Sequence, residues 1–599
     1  MSDALRADVL IIGAGPSGMV SALCLARAGV RSIVVERAAG LAAHPKAHEV
    51  NARSIEILTG LGITNEELEA EASPPADAAR ILFCRTVNEE LGRIDLLADA
   101  KSAEKYRRHL RSQRPYLNLS QTELEKTLLT HVQGEARIQL LFEHAWKAFE
   151  EKEGPVVSLV LRRSDGHMLQ ITSDYVIAAD GAASRARAGL GIEMEGPDKI
   201  QDFVNAYFEL DLCDHIETRA KLYWIFHPEA VGTLIAHHAE RRWVYHVPVF
   251  EPHERPEDYT PEVFARRLQI ALGTERAIPI TSIAFWRMTA QIAERFRDGR
   301  IFLVGDAAHR FPPTGGLGMN TGIGDAHNLA WKLAAVLQGA ADEALLDTYE
   351  EERRPIAERN SSESAANFGR IFEIVKALGL PRNGLETSAR IKNSVMVKWI
   401  PKAWRGAVDR MLTLPMHRAL ARFQSRDDVR EKVRRSIEDQ TPHFDRIGLD
   451  IGYSYARGAL VPDGSPPEEP DDPVTQYLPS ARPGARFPHL WLDAPNTTRS
   501  THDALSTIRY TLLLGDCGDA WRDAAEELQS GLCSELELCS MKSLCTTDEA
   551  RSQLAAVCSI EDDGALLIRP DGHVAWRHRK LAARPEQALG EALQRCHVR

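Results

Sequence analysis

Cysteines are few in this sequence, and their spacing excludes several kinds of site. Nine cysteines are scattered over 599 residues, and no two of them form a Cys-x-x-Cys pair. Such a pair would be expected of a redox motif or a zinc site. His237 and His238 also lack partner ligands at metal spacing, so no metal is predicted. Dispersed thiols, odd in number, predict a cytoplasmic protein rather than a disulfide-stapled secreted one.

Long apolar runs and an excess of positive charge are missing as well. The apolar stretch from Val9 to Val30 is interrupted by four glycines, a proline and Arg27, so a membrane span is not expected. Residues 1–8 lead into the first strand pattern without the apolar core of a signal peptide. The net charge of −12 argues against nucleic acid or an anionic membrane as a partner.

The composition is that of a globular protein with more than one domain. Hydrophobic residues make up 44% and charged residues 26% of the chain, which suits a folded, water-exposed protein. A length of 599 residues exceeds one ordinary hydrophobic core. Two or three domains are therefore predicted.

The N-terminal segment has the order of a dinucleotide-binding unit. An apolar strand pattern precedes Gly13-Ala14-Gly15-Pro16-Ser17-Gly18, and an amphipathic helix follows from about Met19 to Ala28. A second strand pattern, residues 32–35, ends at Glu36. The glycines permit a tight turn and let a pyrophosphate reach the helix N-terminus, while Glu36 can accept hydrogen bonds from a ribose. This order predicts a dinucleotide cofactor.

A second glycine-rich loop lies in the middle of the chain. A short apolar strand pattern, residues 301–304, ends at Gly305-Asp306, and Pro312-Pro313-Thr314-Gly315-Gly316-Leu317-Gly318-Met319-Asn320 follows. Helical spacing of apolar residues predicts that a helix starts near Asp325. Glycines allow a ligand to approach the backbone closely, and a helix N-terminus favours an anionic or electron-accepting group. Taken alone, the segment also fits a surface loop.

A third strand pattern, residues 175–179, delivers Asp180-Gly181 into a turn with a basic tail. By itself an Asp-Gly pair is only a turn signal. Together and in this order, the three motifs resemble the group A flavoprotein monooxygenases, the aromatic-ring hydroxylase family that includes p-hydroxybenzoate and phenol hydroxylases. The resemblance covers nearly the whole chain. It is strongest to the branch of phenol hydroxylase and 2,4-dichlorophenol 6-monooxygenase.

The resemblance implies a FAD site assembled from several segments. In it Glu36 holds the adenosine ribose, Asp306 the ribityl chain, and the backbone near Asn320 the pyrimidine edge of the flavin. Gln121 matches a FAD-contacting glutamine that opens a helix, although a simple helix N-terminus explains it equally well. The residues implied to contact FAD are Gly13, Ala14, Gly15, Gly18, Glu36, Arg37, Lys46, Arg53, Gln121, Asp180, Gly305, Asp306, Pro313, Gly316, Gly318, Met319 and Asn320.

The implied reaction hydroxylates a small phenolic or related aromatic substrate through a flavin C4a-hydroperoxide. NADPH or NADH reduces FAD as a transient co-substrate, and O2 supplies the oxygen atom. No second dinucleotide unit is visible in the sequence, which suits transient nicotinamide binding. A Baeyer–Villiger or epoxidising monooxygenase on the same fold and a non-catalytic FAD-binding protein remain alternatives.

Activation of a phenol needs a base, because ionising a group of pKa about 10 at pH 7 costs roughly 4 kcal/mol. The segment Pro45-Lys46-Ala47-His48 matches the Pro-Arg-Ala-His pattern of phenol hydroxylases, in which the histidine lies beside the flavin. Lys46 departs from that pattern, since a point charge replaces a fork-shaped guanidinium. His48 is the candidate base and Pro313 the residue implied to face the flavin. A supporting or surface histidine is the alternative for His48.

Between the second and third motifs, residues 200–290 are rich in alternating and aromatic strand patterns. They predict one antiparallel sheet that carries the substrate pocket, as in the family. Tyr207, Tyr223, Trp224 and His246 are the candidate substrate contacts. Aromatic residues in strands are more often simply part of the core.

The predicted fold is a multidomain α/β and α+β protein with a Rossmann-like FAD-binding domain of the p-hydroxybenzoate hydroxylase type. A strand, helix and hairpin series near the C-terminus resembles the thioredoxin-like domain of the phenol hydroxylase branch. Asp516-Cys517-Gly518-Asp519 stands where a redox domain would carry Cys-x-x-Cys, which favours a structural role and a possible homodimer. The predicted domains are 1–199 and 291–440 for FAD binding, 200–290 for substrate, 441–490 as a linker and 491–599 as the C-terminal domain.

Overall fold

The computed structural model describes residues 4–42, 44–98, 116–150, 154–394, 402–492, 500–529, 536–545 and 547–598. An eight-stranded sheet forms the centre of the first core. Five of its strands pair in parallel: Ala4–Ile12, Ser32–Val35, Ile138–Leu141, Met168–Ala178 and Ile301–Leu303. Three more add antiparallel edges: His144–Glu150, Val156–Arg162 and Arg297–Asp298.

Apolar runs explain why the first strand lies in the middle of this sheet. Ala4–Ile12 pairs with Ser32–Val35 on one side and Met168–Ala178 on the other. Residues 9–12 are at most 5% exposed, since helices cover both faces of a parallel sheet. The helices of this region are Pro16–Arg27, Ala52–Gly60, Asn65–Glu69, Pro75–Ala78, Gln121–Gly134, Arg185–Gly189 and Leu317–Leu337.

The helix that was predicted to start near Asp325 begins two turns earlier, at Leu317. Its first turns contain three glycines, which lower helix propensity and conceal the start in the sequence. Tertiary packing explains their presence, because a Cβ on Gly322 would lie 2.4 Å from Ser17 Oγ and 3.0 Å from Gly305 Cα. The early start brings the helix N-terminus to the glycine-rich loop that precedes it.

A seven-stranded sheet, here called the pocket sheet, forms the second layer. In spatial order its strands are Ile280–Met288, Gln201–Glu209, Arg242–Val249, Gly232–His238, Leu222–Ile225, Arg80–Cys84 and Glu90–Asp95. All neighbours are antiparallel except Leu222–Ile225 and Arg80–Cys84, which run parallel. Helix Pro261–Leu272 packs on one face. The other face looks towards the FAD-motif segments and the helices that follow them.

Small elements link the two large sheets. Val50–Asn51 pairs with Tyr116–Leu117, and a three-stranded sheet contains Met194–Glu195, Gln291–Ala293 and His309–Arg310. Short 3-10 turns occur at Pro256–Asp258, Gly305–Ala307, Glu343–Asp347 and Thr501–Ala504.

A helical region follows the long helix at residue 337. Its helices are Thr348–Ala377, Gly384–Lys392, Lys402–Ser425, Asp427–Glu438, Thr441–Phe444 and Ile447–Ile451. They share a hydrophobic core with one end of the pocket sheet. The described part of residues 452–492 contains only isolated bridge pairs. Among the helices that the structure describes, none combines the length and apolar composition needed to cross a bilayer.

The C-terminal part folds around a four-stranded sheet in the order Glu537–Ser540, Thr511–Leu514, Ala565–Ile568 and Val574–His578. The first pair is parallel and the other two are antiparallel, as in a thioredoxin-like domain. Helices Asp519–Gln529, Met541–Leu544, Asp548–Cys558 and Pro585–Arg595 complete it. Cys517 is exposed and is a free thiol, as are Cys24, Cys84, Cys213, Cys558 and Cys596.

Candidate active site

The N-terminal glycine loop leaves room for a ligand against its backbone. Gly13 has a φ of 104°, and a Cβ there would lie 2.4 Å from Ala179 O. A Cβ on Gly18 would lie 2.0 Å from Gly13 O, so Gly18 lets helix Pro16–Arg27 pack against the loop. At Gly15 a Cβ would meet nothing within 4 Å. The loop therefore needs glycine at two positions for its own fold and at the third only if something binds there.

Glu36 is fixed at the end of the second strand by backbone donors. Its Oε2 accepts from Ala14 N at 3.0 Å and its Oε1 from Ala38 N at 2.8 Å. These bonds orient the carboxylate beside the glycine loop, where the dinucleotide pattern expects an acceptor for ribose hydroxyls.

A cavity of about 350 Å³ opens in front of the glycine loop. Its walls include the following residues that the sequence analysis singled out: Gly13, Ala14, Gly15, Glu36, Arg37, Lys46, Gln121 and Asp180. Glu125, His144, Trp146 and Arg185 also line it and carried no sequence signal. Segments far apart in the chain thus meet at one cavity.

Asp180 is held by the helix that follows it. Its Oδ2 accepts from the backbone N of Arg185 at 2.7 Å and of Ala186 at 3.2 Å. Its Oδ1 is buried and has no hydrogen-bond partner among the described residues. A buried acceptor left open on a cavity wall is a feature that a bound donor, such as a ribose or ribityl hydroxyl, would satisfy.

Gln121 joins the helix that it opens to the segment that contains His48. Its Oε1 accepts from Ala47 N at 3.3 Å and its own backbone N donates to Ala47 O at 2.8 Å. Its Nε2 donates to Glu125 Oε1 at 2.6 Å. Both interpretations of Gln121 are thus compatible with its position, since it begins the helix and also lines the cavity.

The buried carboxylate of Asp325 holds the second glycine-rich loop in place. Asp325 accepts from Gly305 N at 3.2 Å, from His309 Nε2 at 2.6 Å and from Arg353 Nε at 2.8 Å. Burial alone would raise the pKa of Asp325, but His309 and Arg353 hold it below its usual value. The loop is therefore anchored by a charged group, while Asp306 itself stays exposed.

Asn320 ties this loop to the segment after His48. Its Oδ1 accepts from Asn51 N at 3.0 Å, and its Nδ2 donates to Glu49 O at 3.0 Å and Gly316 O at 2.7 Å. Gly316 has a φ of 60°, which favours glycine at the start of the helix. Pro313 is exposed and Gly318 and Met319 are half-buried on the same turn, so the loop presents backbone rather than bulky side chains.

His48 has a defined tautomer because of Asn118. The Asn118 amide nitrogen donates to Ser73 Oγ at 2.8 Å and to Ala236 O at 2.9 Å, which assigns Oδ1 to the remaining side. That oxygen lies 2.8 Å from His48 Nδ1 and can only accept, so Nδ1 carries the proton. Nε2 is then the basic nitrogen. Burial lowers the pKa of His48, so the ring is neutral and able to accept a proton at pH 7.

A buried ion-pair group lies directly behind His48. Glu49 accepts from Lys221 Nζ at 2.9 Å and pairs closely with Arg446. Burial alone would raise the pKa of Glu49, but these two cations hold it well below its usual range. No sequence pattern predicts this group, because Lys221 and Arg446 are 172 and 397 residues from Glu49.

The pocket sheet separates the four predicted substrate contacts. His246, Trp224 and Tyr207 lie on the face that meets His44 and His48, where the His44 and Tyr207 rings are 6.3 Å apart. Tyr223 lies on the opposite face, where its hydroxyl accepts from Ala220 N at 2.8 Å inside the core under helix Pro261–Leu272. Trp224 is in register with Thr233, which is in turn in register with His246, so one strand separates the two side chains, and Trp224 stacks on Phe83 of the next strand.

Arg53 does not line the cavity in front of the N-terminal glycine loop. Its guanidinium donates to Glu56 at 3.1 Å and to Asp571 O at 2.5 Å, and the side chain is buried. It therefore joins helix Ala52–Gly60 to the C-terminal hairpin. No group of three or more His, Cys, Asp or Glu side chains able to hold a metal ion occurs in the described ranges.

Comparison with known proteins identifies two family matches. A FAD binding domain model matches residues 6–364, and a model for the aromatic-ring hydroxylase C-terminal domain matches residues 480–597. The chain is 30% identical to 2,4-dichlorophenol 6-monooxygenase of Delftia acidovorans, over 98% of this chain and 97% of that protein.

Two solved structures are similar over the whole chain. The flavin-dependent monooxygenase PieE, in complex with FAD and substrate, has a TM-score of 0.86 and 31% identity, with 99% of each chain covered. Aklavinone-11 hydroxylase, in a ternary complex with FAD and aklavinone, has a TM-score of 0.77 and 29% identity, with 100% of each chain covered.

Proposed function

The chain belongs to the family of FAD-dependent aromatic-ring hydroxylases, and on this premise we propose how its residues divide the reaction. The protein is a flavoprotein monooxygenase that hydroxylates an aromatic substrate, with FAD as cofactor. NAD(P)H and O2 are the usual co-substrates of this class. The family therefore fixes the reaction type, and the proposals concern the residues and the substrate.

The residues in front of the glycine loop hold FAD in this proposal. The open Cβ position of Gly15, the oriented Glu36 carboxylate and the unpaired Asp180 oxygen support a pyrophosphate and ribose there. Lys46 and Gln121 close the cavity. The backbone of Gly318, Met319 and Asn320, with exposed Asp306 and Pro313, binds the flavin end. Bound FAD would supply the redox chemistry by passing the electrons of NAD(P)H to O2.

His48 acts as the general base that ionises a phenolic hydroxyl. The hydrogen bond between its Nδ1 and Asn118 is the observation that carries this proposal. It leaves Nε2 as the acceptor and holds the ring at a fixed angle. Transfer of the phenol proton to Nε2 makes the carbons ortho and para to the hydroxyl more electron-rich, and of these we propose the ortho carbon, next to the hydroxyl, as the position of attack.

The substrate lies on the pocket-sheet face that carries Tyr207 and His246. Contacts between His44 and Tyr207 and between His48 and the pocket sheet support this position, because they bring the base and the sheet together. Tyr223 has no part in this proposal, since the core encloses it. Similar proteins are named for substrates that range from 2,4-dichlorophenol to aklavinone. A phenolic ring is the chemistry that this chain's base would recognise.

A panel of phenols tests the proposal directly. The purified protein should contain FAD, and a true substrate should stimulate NAD(P)H oxidation and yield a product with one added oxygen atom. Oxidation that releases only hydrogen peroxide with every phenol would contradict hydroxylation. Loss of FAD on purification with no rebinding would contradict the cofactor assignment.

We also propose that the enzyme works in the cytoplasm as a homodimer. The free thiols of Cys24, Cys84, Cys213, Cys517, Cys558 and Cys596 support a reducing compartment. Exposed apolar side chains on the helical region, among them Met411 at 60% and Leu414 at 40% exposure, support self-association. Light scattering coupled to gel filtration should give twice the chain mass, and a monomer at micromolar concentration would contradict it.

A further inference from the structure

Four imidazoles converge on the inner face of the pocket sheet. His48 and His237 have ring centroids 5.4 Å apart, although they come from different segments. His246 lies opposite Asn205 in the strand pairing, with its Nε2 3.5 Å from Asn205 Nδ2. His44 is anchored through Nδ1, 2.7 Å from Ser282 Oγ. These four rings and Asn205 are called the histidine wall below.

Several polar atoms of the histidine wall lack a hydrogen bond of ordinary geometry. Both ring nitrogens of His237 are buried without a hydrogen bond among the described residues. Nε2 of His44 and Oδ1 of Asn205 make none of ordinary geometry, although these two side chains interact with each other. His237 is 1% exposed and Asn205 is 6% exposed, so these are interior groups. A buried donor or acceptor that stays unpaired destabilises a protein. An interior His237 in that condition, beside the weakly bonded pair His44 and Asn205, indicates a place built to receive a ligand with several polar atoms.

The histidine wall carries no formal charge at neutral pH. Burial lowers the pKa of His246 to about 3 and that of His237 well below its usual value, and the other imidazoles add to the effect at both. Burial also lowers the pKa of His44. Each neutral ring offers one donor and one acceptor. The wall can therefore donate to a carbonyl or accept from a hydroxyl.

Nearby cations are already neutralised by acids. Arg242 pairs closely with Glu71 and Glu123, both at 2.5 Å. Lys221 and Arg446 pair with Glu49. Lys46 lines the cavity assigned to FAD. A carboxylate placed against the wall would lose its hydration without gaining a counter-ion, which is costly.

We propose that the histidine wall is the specificity-determining surface for the substrate, and that it selects uncharged aromatic rings with two or more oxygen substituents over carboxylated rings. His237 donates to or accepts from one ring oxygen, Asn205 and His44 engage a second, and His48 acts on the hydroxyl to be ionised. This inference rests on the proposed function, since it assumes that an aromatic substrate occupies this face.

A matched pair of ligands tests the selectivity. Calorimetric titration of the FAD-loaded enzyme with 2,4-dihydroxyacetophenone and with 2,4-dihydroxybenzoate compares a ketone with a carboxylate of similar shape. The wall predicts at least tenfold tighter binding of the ketone. Equal or tighter binding of the benzoate would overturn the inference, as would no detectable binding of the ketone at millimolar concentration.

Variants at position 237 separate hydrogen bonding from folding. His237→Leu should weaken ketone binding about tenfold, the effect of one lost hydrogen bond, while FAD content stays the same. His237→Gln keeps a donor and an acceptor and should retain most of the affinity. His238→Leu is the matched control, because His238 bonds Glu240 N instead and lies outside the wall. Unchanged ketone binding in both position-237 variants would overturn the inference.

The two proposals fail in distinguishable ways. If ketone binding depends on His237 but no phenol gains oxygen, the proposed hydroxylation of phenols is wrong and the histidine wall stands as a binding surface. If phenols are hydroxylated but the selectivity between ketone and carboxylate is absent, the wall has no role in specificity and the proposed function stands.

Discussion

At the scale of single residues, the chemistry depends on which nitrogen of His48 is protonated. Asn118 fixes that choice through an amide whose own two donors are already engaged with Ser73 and Ala236. The proposed base is thus in the proton-accepting tautomer before substrate arrives, and no rearrangement is needed for it to accept a proton. Asn118 is a positioning residue that the sequence analysis missed, since it lies 70 residues from His48.

Replacement of His48 should change the pH profile as well as the rate. His48→Ala should lower kcat/KM for a phenol about 10²–10⁴-fold at pH 7, the usual contribution of a general base. In the wild type the lowered pKa of His48 keeps the base neutral at pH 7, so activity should fall only on the acid side. The variant should instead gain activity as the pH rises towards the pKa of the phenol itself. FAD content should not change.

A structural role for His48 would give a different pattern. A variant with a reduced rate but the wild-type pH profile would show that the imidazole supports the site without accepting the proton. An unchanged rate at pH 7 would remove His48 from the mechanism altogether.

The glycine loop gives a second test at this scale. Gly15→Ala should leave the stability of the FAD-free protein unchanged, because the new Cβ meets nothing within 4 Å. It should weaken FAD binding at least tenfold, since the methyl group would occupy the space assigned to the pyrophosphate. Flavin absorbance per protein and thermal melting of the FAD-free protein measure the two effects.

Gly134→Ala is the matched control, since its Cβ also meets no atom within 4 Å but lies at the end of a helix. It should affect neither quantity. Normal FAD affinity in Gly15→Ala would contradict the position given to the pyrophosphate.

Single residues also show how far sequence reasoning reaches into the site. Gly13, Glu36 and Asp180 could be predicted, because each ends a strand of a recognisable pattern. Tyr223 and Trp224 are neighbours on one strand, so at most one of them could face the pocket. The alternation alone could have excluded one, but only the pairing of strands shows that Tyr223 is the one enclosed by the core.

At the scale of elements, the C-terminal hairpin is locked to the FAD-motif helices by buried charges. Arg569 donates to both Glu352 oxygens at 2.7 Å and also pairs with Asp571. Lys332 of helix Leu317–Leu337 donates to Glu352 of helix Thr348–Ala377 at 2.8 Å, so the same carboxylate also joins these two helices. The hairpin turn thus contacts helix Thr348–Ala377 through Glu352, which is also bonded to helix Leu317–Leu337. The latter helix begins at the second glycine-rich loop. This supports a structural role for the C-terminal domain.

Removal of one cation from this network should be strongly destabilising. Arg569→Ala leaves Glu352 and Asp571 buried with less compensation, and loss of one partner of a buried ion pair usually costs about 3–5 kcal/mol. Guanidinium denaturation should show that loss in the free energy of unfolding. The exposed Arg584→Ala is the matched control and should change it little. A loss below about 1 kcal/mol in Arg569→Ala, the range of a surface ion pair, would contradict the buried network.

The elements were easier to predict than their ends and partners. Apolar runs predicted the strands before the three motifs, because buried parallel strands have an unbroken apolar pattern. The predicted start of helix Leu317–Leu337, near Asp325, was wrong, because the glycines needed for close packing lower the helix propensity of its first turns. The buried network around Glu352 could not be predicted, because its members come together only when the domains pack.

At the scale of the whole molecule, several buried acids join distant parts of the chain. Glu56 pairs with Arg486, Glu49 with Arg446 and Glu352 with Arg569. Burial alone would raise their pKa values, but the cations lower all three, that of Glu352 to about 2. These buried ion pairs therefore connect the sheets, the helical region and the C-terminal domain.

Low pH should protonate these three carboxylates and break their ion pairs over the same pH range. A carboxylate with a depressed pKa stabilises the fold fully above the pKa of the unfolded chain, about 4.3 for Glu. That contribution is lost as the pH falls from there towards the folded value. Urea midpoints measured from pH 7 to pH 2.5 should be level at first and then drop steeply below about pH 4.3. A flat dependence down to pH 3 would contradict the assignment of these ion pairs.

Incorporation of oxygen from O2 into a phenol is the decisive test of the proposed hydroxylation. The FAD-loaded enzyme, NADPH or NADH, a phenol that stimulates its oxidation and ¹⁸O2 would be combined, and the product examined by mass spectrometry. The account predicts one ¹⁸O atom in the ring, next to the original hydroxyl, and loss of this product in His48→Ala at neutral pH. A product that carries oxygen from water, or unchanged phenol with hydrogen peroxide as the only product of O2 reduction in every case, would contradict it.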